Sequence, residues 1–182
     1  MTLGVIMAGF GGQGVMLMGQ LLTYAGMLDG KQVSWMPSYG PEMRGGTANC
    51  TVIIADEEVG SPLVTSPDAV VALNLPSLDK FEDIVKPGGL LIYNSSLINR
   101  PPTRTDIRII AVEANDIATG LGQPRVANMV ALGALLEATS LISEASLEQA
   151  LRNILPAHRQ ELLPINLQAI ARGRASVEPV LA

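Results

Sequence analysis

Six residues near the start of the chain, Gly9-Phe10-Gly11-Gly12-Gln13-Gly14, have the composition of a loop whose backbone amides can approach an anion closely. They follow the apolar run at residues 3–8 and open a helix-compatible segment from Val15. Gly9, Gly11 and Gly14 satisfy the G-x-G-x-x-G spacing, in the strand-to-helix setting where a dinucleotide pyrophosphate meets a helix N-terminus. Such a site also needs a carboxylate about 20 positions further on to hold the adenosine ribose. Here that stretch reads Gln32-Val33-Ser34-Trp35-Met36-Pro37, and Asp29 comes before the second strand begins. The loop is therefore a strong signal of fold and a weak signal of a bound dinucleotide.

A second segment, Pro37-Ser38-Tyr39-Gly40-Pro41-Glu42-Met43-Arg44-Gly45-Gly46, leaves the carboxyl end of strand two, where open α/β sheets gather ligands. Arg44 could fork onto a carboxylate or phosphate, and the amides of Gly45 and Gly46 can approach an anion. Alternatively, Glu42 and Arg44 pair with each other or brace the glycines of the first loop. Other chemistry-bearing residues are sparse. The single cysteine, Cys50, allows no disulfide within the chain and no iron–sulfur cluster, which takes about four thiolates. The lone His158 lies in a proline-flanked connection without the companion ligands of a zinc site. Tyr24, Tyr39 and Tyr93 are the only tyrosines, and none stands in a Tyr-x-x-x-Lys arrangement.

The elements that position these loops alternate between strand and helix. Strands are expected at residues 3–8, 31–36, 47–55, 69–74, 90–94 and 107–112, and helices at 12–29, 77–85, 113–122, 126–139 and 162–172. A further helix starts at Ser143, with Ser143 and Ser146 as candidate N-caps, and Pro156 ends it. Gly12, Gly19 and Gly26 recur every seven residues along the first helix. A helical glycine costs up to about 1 kcal/mol, so the stripe implies close packing on the sheet or a small-residue contact with another subunit. The expected fold is α/β: a three-layer, doubly wound, mostly parallel sheet, Rossmann-like, with extra C-terminal helices. One domain over residues 1–175 is expected, followed by a tail at 176–182.

With 182 residues, 48% hydrophobic and 16% charged, the chain is apolar for a soluble domain. Either a partner covers part of its surface or a parallel sheet buries both of its faces. A net charge of −5 and an aromatic content of 3% argue against a nucleic-acid partner. No stretch reaches the roughly 20 apolar residues of a membrane span, and no signal peptide is evident. A cytoplasmic protein without a metal of its own is the expectation.

The two loops, together with Val126-Ala127-Asn128-Met129-Val130-Ala131-Leu132-Gly133-Ala134, make the sequence recognisable. It resembles the gamma subunit of 2-oxoacid:ferredoxin oxidoreductases, enzymes acting on pyruvate, 2-oxoglutarate or ketoisovalerate. The resemblance rests on Gly9, Gly11, Gly12, Gln13 and Gly14, on Tyr39, Gly40, Glu42, Arg44, Gly45 and Gly46, and on Asn128 in the third block. It implies a role in oxidative decarboxylation of a 2-oxoacid with coenzyme A to acyl-CoA. Thiamine diphosphate, magnesium and iron–sulfur clusters are then expected on alpha, beta and ferredoxin-like partner subunits, with ferredoxin as electron acceptor. The thiamine signature Gly-Asp-Gly is missing from this sequence, so the chain is expected to carry no cofactor and to act only within the complex. Its loops would either buttress the partner subunits or receive an anionic group, such as the phosphates of coenzyme A. A short gamma chain leans toward 2-oxoglutarate, and the isolated chain is expected to self-associate as a homodimer. The competing class is a free-standing Rossmann-type oxidoreductase using a nicotinamide or flavin.

Overall fold

The computed structural model describes residues 1–38 and 47–178. In chain order the elements are β1 (Thr2–Phe10), α1 (Val15–Leu28), β2 (Gln32–Ser38), β3 (Thr47–Ala55), β4 (Ala69–Ala72), α2 (Leu75–Phe81), β5 (Leu90–Asn94) and β6 (Arg108–Val112). They continue with α3 (Ala114–Gly120), α4 (Ala127–Thr139), α5 (Glu144–Ile154) and α6 (Leu163–Ala175), and short 3-10 turns link several of them. The strands form one sheet in the order β2-β3-β1-β4-β5-β6. The pairings β1–β4, β4–β5 and β5–β6 are parallel, whereas β3 is antiparallel to both β1 and β2. Five strands thus share a direction and β3 alone runs against them.

Alternation along the strands divides the core between two faces. Val5, Met7, Val52, Ile54, Val71, Ile92 and Val112 pack with residues of α1, α3, α4, α5 and α6. Ile6, Ala8, Val70, Ala72 and Leu91 face the other way, onto Leu78 and Phe81 of α2, Val85 and Ile98. Strands buried on both faces account for the apolar composition.

Glycines set several of the closest approaches. An added Cβ at Gly19 would lie 2.5 Å from Cys50 Sγ and 2.7 Å from Trp35 Nε1, and one at Gly26 would lie 3.0 Å from Val33 Cγ1. Those two positions of the stripe therefore serve helix-on-sheet packing. Gly12 has a φ of 92° and lies before the helix, which starts at Val15 instead of residue 12. The added C-terminal helices cross backbone to backbone. A Cβ at Gly133 of α4 would meet the Ile170 carbonyl oxygen at 2.1 Å, and one at Gly173 of α6 would meet that of Val130 at 1.9 Å. Alanine would gain about 1 kcal/mol of helix propensity there, but only by pushing two packed helices apart. The expected β4 is also shorter: the chain leaves the sheet after Ala72, and Asn74 caps α2 by accepting from Ser77 N at 2.9 Å.

On the α2 side, Glu82 clasps the connection between β5 and β6. Its carboxylate is 4% exposed. It accepts from Thr103 N, from Thr103 Oγ1 at 3.0 Å, from Arg104 N at 3.1 Å and from Arg100 at 3.2 Å. Arg100 also pairs with Asp79 at 2.5 Å. Burial acts to raise the Glu82 carboxyl, but the donors from Thr103, Arg104 and Arg100 outweigh it and hold it below the ordinary glutamate value of 4.5. A carboxyl depressed in the folded state stabilises above its unfolded pKa, and that stability is lost as pH falls through the folded one. Glu82→Gln should therefore cost about 3 kcal/mol at neutral pH, the scale of breaking a buried ion pair, and should flatten the loss of stability below pH 4.5. Urea unfolding at a series of pH values checks this; parallel curves for the two proteins would contradict it.

Candidate functional site

The first glycine loop leaves the carboxyl end of β1, beside the carboxyl ends of β4 and β5. From β1 the chain passes to α1 on one face of the sheet, and from β4 to α2 on the other. This divergence marks the point where open α/β sheets form a ligand crevice. After Phe10 a turn closes with Gln13 N donating to Phe10 O at 3.1 Å. Gly14, at a φ of 77°, is the N-cap of α1 and leaves the helix without a capping side chain. First-turn amides of a helix have no intrahelical acceptor, and the helix dipole makes them a favourable place for negative charge.

Two side-chain amides brace this turn. Gln13 Oε1 accepts from Phe10 N at 2.6 Å and folds over Gly9, where a Cβ would lie 2.6 Å from that oxygen. Asn128, 5% exposed in the first turn of α4, donates from Nδ2 to Gly14 O at 3.2 Å. A Cβ on Gly14 would lie 2.3 Å from Asn128 Nδ2, so this glycine is required by contact as well as by conformation. A third amide, Asn94, ends β5. It donates to Leu73 O at 3.2 Å and to Asn115 Oδ1 at 2.7 Å, and accepts from Ala114 N at 3.2 Å.

The resulting crevice has a volume of about 240 Å³ and is lined by Gly12, Gln13, Asn94, Asn115, Arg125 and Asn128, with Leu73, Pro124 and Ala127. Among the described residues its lining holds no carboxylate, imidazole or thiol. Arg125 is its one charged side chain, exposed at the mouth, with no ion pair among the described residues. Neutral amides, a guanidinium and helix N-terminal N–H groups can hold an oxyanion, but none of them serves as a base or nucleophile near neutral pH. Cys50 lies away from this lining, and burial pushes its thiol up to about 11.

The structure thus brings Gly9, Gly12, Gln13, Gly14 and Asn128 to one place, with Gly11 in the same turn. Tyr39, Gly40, Glu42, Arg44, Gly45 and Gly46 lie outside the described residues, as do residues 179–182. Sequence reasoning missed Asn94, Asn115 and Arg125. The one signal for Asn94 was a polar residue closing the apolar strand Leu90–Asn94. Topology also bears on the dinucleotide reading. In a dinucleotide fold the neighbour of β1 on the outer side is a parallel strand with the ribose-binding acid at its carboxyl end. Here that place belongs to antiparallel β3, and β2 ends in Trp35-Met36-Pro37-Ser38.

The family model for pyruvate ferredoxin/flavodoxin oxidoreductase matches residues 4–176. The ketoisovalerate oxidoreductase subunit VorA of Methanothermobacter thermautotrophicus is 41% identical over 170 residues, which cover 93% of this chain and 35% of that protein. The chain therefore spans about a third of the length of its VorA relatives. The 2-oxoglutarate synthase subunit KorC of Methanocaldococcus jannaschii is 36% identical, with 92% and 89% covered. Among solved structures, a keto/oxoacid ferredoxin oxidoreductase gamma subunit from Geobacter sulfurreducens aligns with a TM-score of 0.83 at 31% identity, over 96% of this chain and 97% of that one. The 2-oxoglutarate:ferredoxin oxidoreductase of Magnetococcus marinus, solved with 2-oxoglutarate, coenzyme A and succinyl-CoA bound, aligns with a TM-score of 0.87 at 28% identity, over 96% and 31%.

The Gly14–Asn128 contact makes a prediction of its own. Asn128→Asp replaces a donor facing a carbonyl with an acceptor and should cost about 2 kcal/mol, the scale of a buried polar mismatch. Gly14→Ala should cost more, because it combines a left-handed backbone with displacement of Asn128. Chemical denaturation measures both; a Gly14→Ala protein as stable as the native one would show the contact to be dispensable.

Proposed function

The chain belongs to the pyruvate ferredoxin/flavodoxin oxidoreductase family, and we propose that within it this chain is the gamma subunit of a 2-oxoacid:ferredoxin oxidoreductase. The complex converts a 2-oxoacid, coenzyme A and two oxidised ferredoxins into acyl-CoA, carbon dioxide, two reduced ferredoxins and a proton. The gamma chain contributes no redox group. Thiamine diphosphate, magnesium and iron–sulfur clusters reside on alpha, beta and ferredoxin-like partners, and the assembly works in the cytoplasm. Within it, the turn at residues 9–14 completes the approach to the reaction centre and holds an anionic group of coenzyme A.

The observation that carries this reading is the crevice beside the Gly12–Gln13 turn that precedes α1: among the described residues its lining holds no carboxylate, and Arg125 flanks it. Its volume of about 240 Å³ suits a phosphate-sized group better than a whole dinucleotide. The related Magnetococcus enzyme binds coenzyme A, which supports the choice of anion. A free-standing nucleotide-dependent oxidoreductase is disfavoured by the antiparallel β3 and the missing ribose acid.

The test is reconstitution. A tagged chain should co-purify with thiamine- and cluster-bearing partners, and acyl-CoA formation should require it. Arg125→Ala should raise KM for coenzyme A about tenfold, the worth of one charge-assisted hydrogen bond, with KM for the 2-oxoacid unchanged. Partners fully active without this chain would refute the assignment.

A further inference from the structure

The orientation of the crevice amides follows from the backbone, and one of them is set at second hand. Asn94 is 2% exposed and touches two main-chain groups of fixed polarity. Ala114 N–H can only donate and the Leu73 carbonyl can only accept, so the Asn94 oxygen faces Ala114 and its nitrogen faces Leu73. The same nitrogen donates to Asn115 Oδ1 at 2.7 Å. The Asn115 oxygen is therefore engaged, and its NH2 is the end left to the crevice. Gln13 obeys the same logic, since Phe10 N–H takes its oxygen and leaves its NH2 without a partner among the described residues. Asn128 is the reverse case, with its nitrogen on Gly14 O and its oxygen without a donor among the described residues.

We propose that Asn94 is a positioning residue for ligand binding: the backbone at Leu73 and Ala114 orients its amide, that amide orients Asn115, and Asn115 donates to the anion held in the crevice. The proposal rests on the coenzyme A reading for the identity of the anion, but the amide orientation stands on its own geometry. An asparagine pair does here what a lysine would do elsewhere, without a titrating group. The donor lining at Gln13 and Asn115 therefore keeps the same polarity at every pH at which the chain is folded.

Side-chain amide NMR of the full chain tests this directly. In the native protein the Asn94 NH2 protons should exchange slowly, whereas the Asn115 NH2 should exchange freely and shift on titration with inorganic pyrophosphate. In Asn94→Asp the new carboxylate still accepts from Ala114 N but has no proton for Asn115. The Asn115 NH2 should then turn inward and become protected, and affinity for coenzyme A should fall about tenfold or more. Asn115→Ala, at a partly exposed position, should lower that affinity about tenfold while the protein still unfolds in one cooperative step, so the test survives if Asn94→Asp fails to fold. A protected Asn115 NH2 in the native protein, or native affinity in Asn115→Ala, would overturn the proposal. If Asn115 responds to pyrophosphate and the chain ignores coenzyme A, the positioning role stands and the coenzyme A reading fails.

Discussion

Asn128 donates to the carbonyl of Gly14 across 114 residues of sequence, and the geometry of the crevice depends on that one bond. It ties the first turn of α4 to the N-cap of α1, so two helices that pack on the same face of the sheet also begin at a common point. The bond is available only because Gly14 has no Cβ and takes a left-handed backbone. The same conformation starts α1 without a side-chain cap, which leaves its amides to another acceptor. A helix end normally closes with Ser, Thr, Asp or Asn. Here that residue is absent at the point where the sheet topology opens a crevice.

The surrounding architecture restricts what can enter. Antiparallel β3 takes the position beside β1 that a dinucleotide-binding sheet gives to a parallel strand. The adenosine side of a dinucleotide site is thereby lost, while the glycine turn that precedes α1 remains. The glycine spacing and the missing carboxylate therefore do not conflict: the turn belongs to the strand-to-helix joint, and the acid would belong to a parallel neighbour that β3 replaces. On the far face, the Glu82 clasp fixes the segment that leaves β5 at Asn94, so the floor of the crevice is attached to a rigid connection.

Much of this was legible in the sequence. Residues 47–55 and 90–94 read as strands because Val, Ile, Thr and Leu cluster between turn residues, and the structure places β3 and β5 on those same residues. Ser143 was legible as an N-cap, and it accepts from Ser146 N at 3.2 Å. The start of α1 was not, because a glycine at residue 12 is compatible with a helix until its φ is known. The direction of β3 was equally hidden, since a strand's composition carries no sign of which way its neighbour runs. Gly9 to Gly14 and Asn128 could be singled out by motif, but Asn94, Asn115 and Arg125 could not. Their roles come from tertiary placement at the ends of different strands and helices, and no local pattern encodes that.

In the proposed function, the joint between Gly14 and Asn128 frames the place where coenzyme A rests its charge. A crystal structure of the chain with coenzyme A measures this most directly. A phosphate oxygen is expected within about 3 Å of Gln13 Nε2, of Asn115 Nδ2 or of a first-turn N–H of α1, on the Arg125 side of the crevice. Coenzyme A ordered on another surface, with the crevice filled only by solvent, would contradict it.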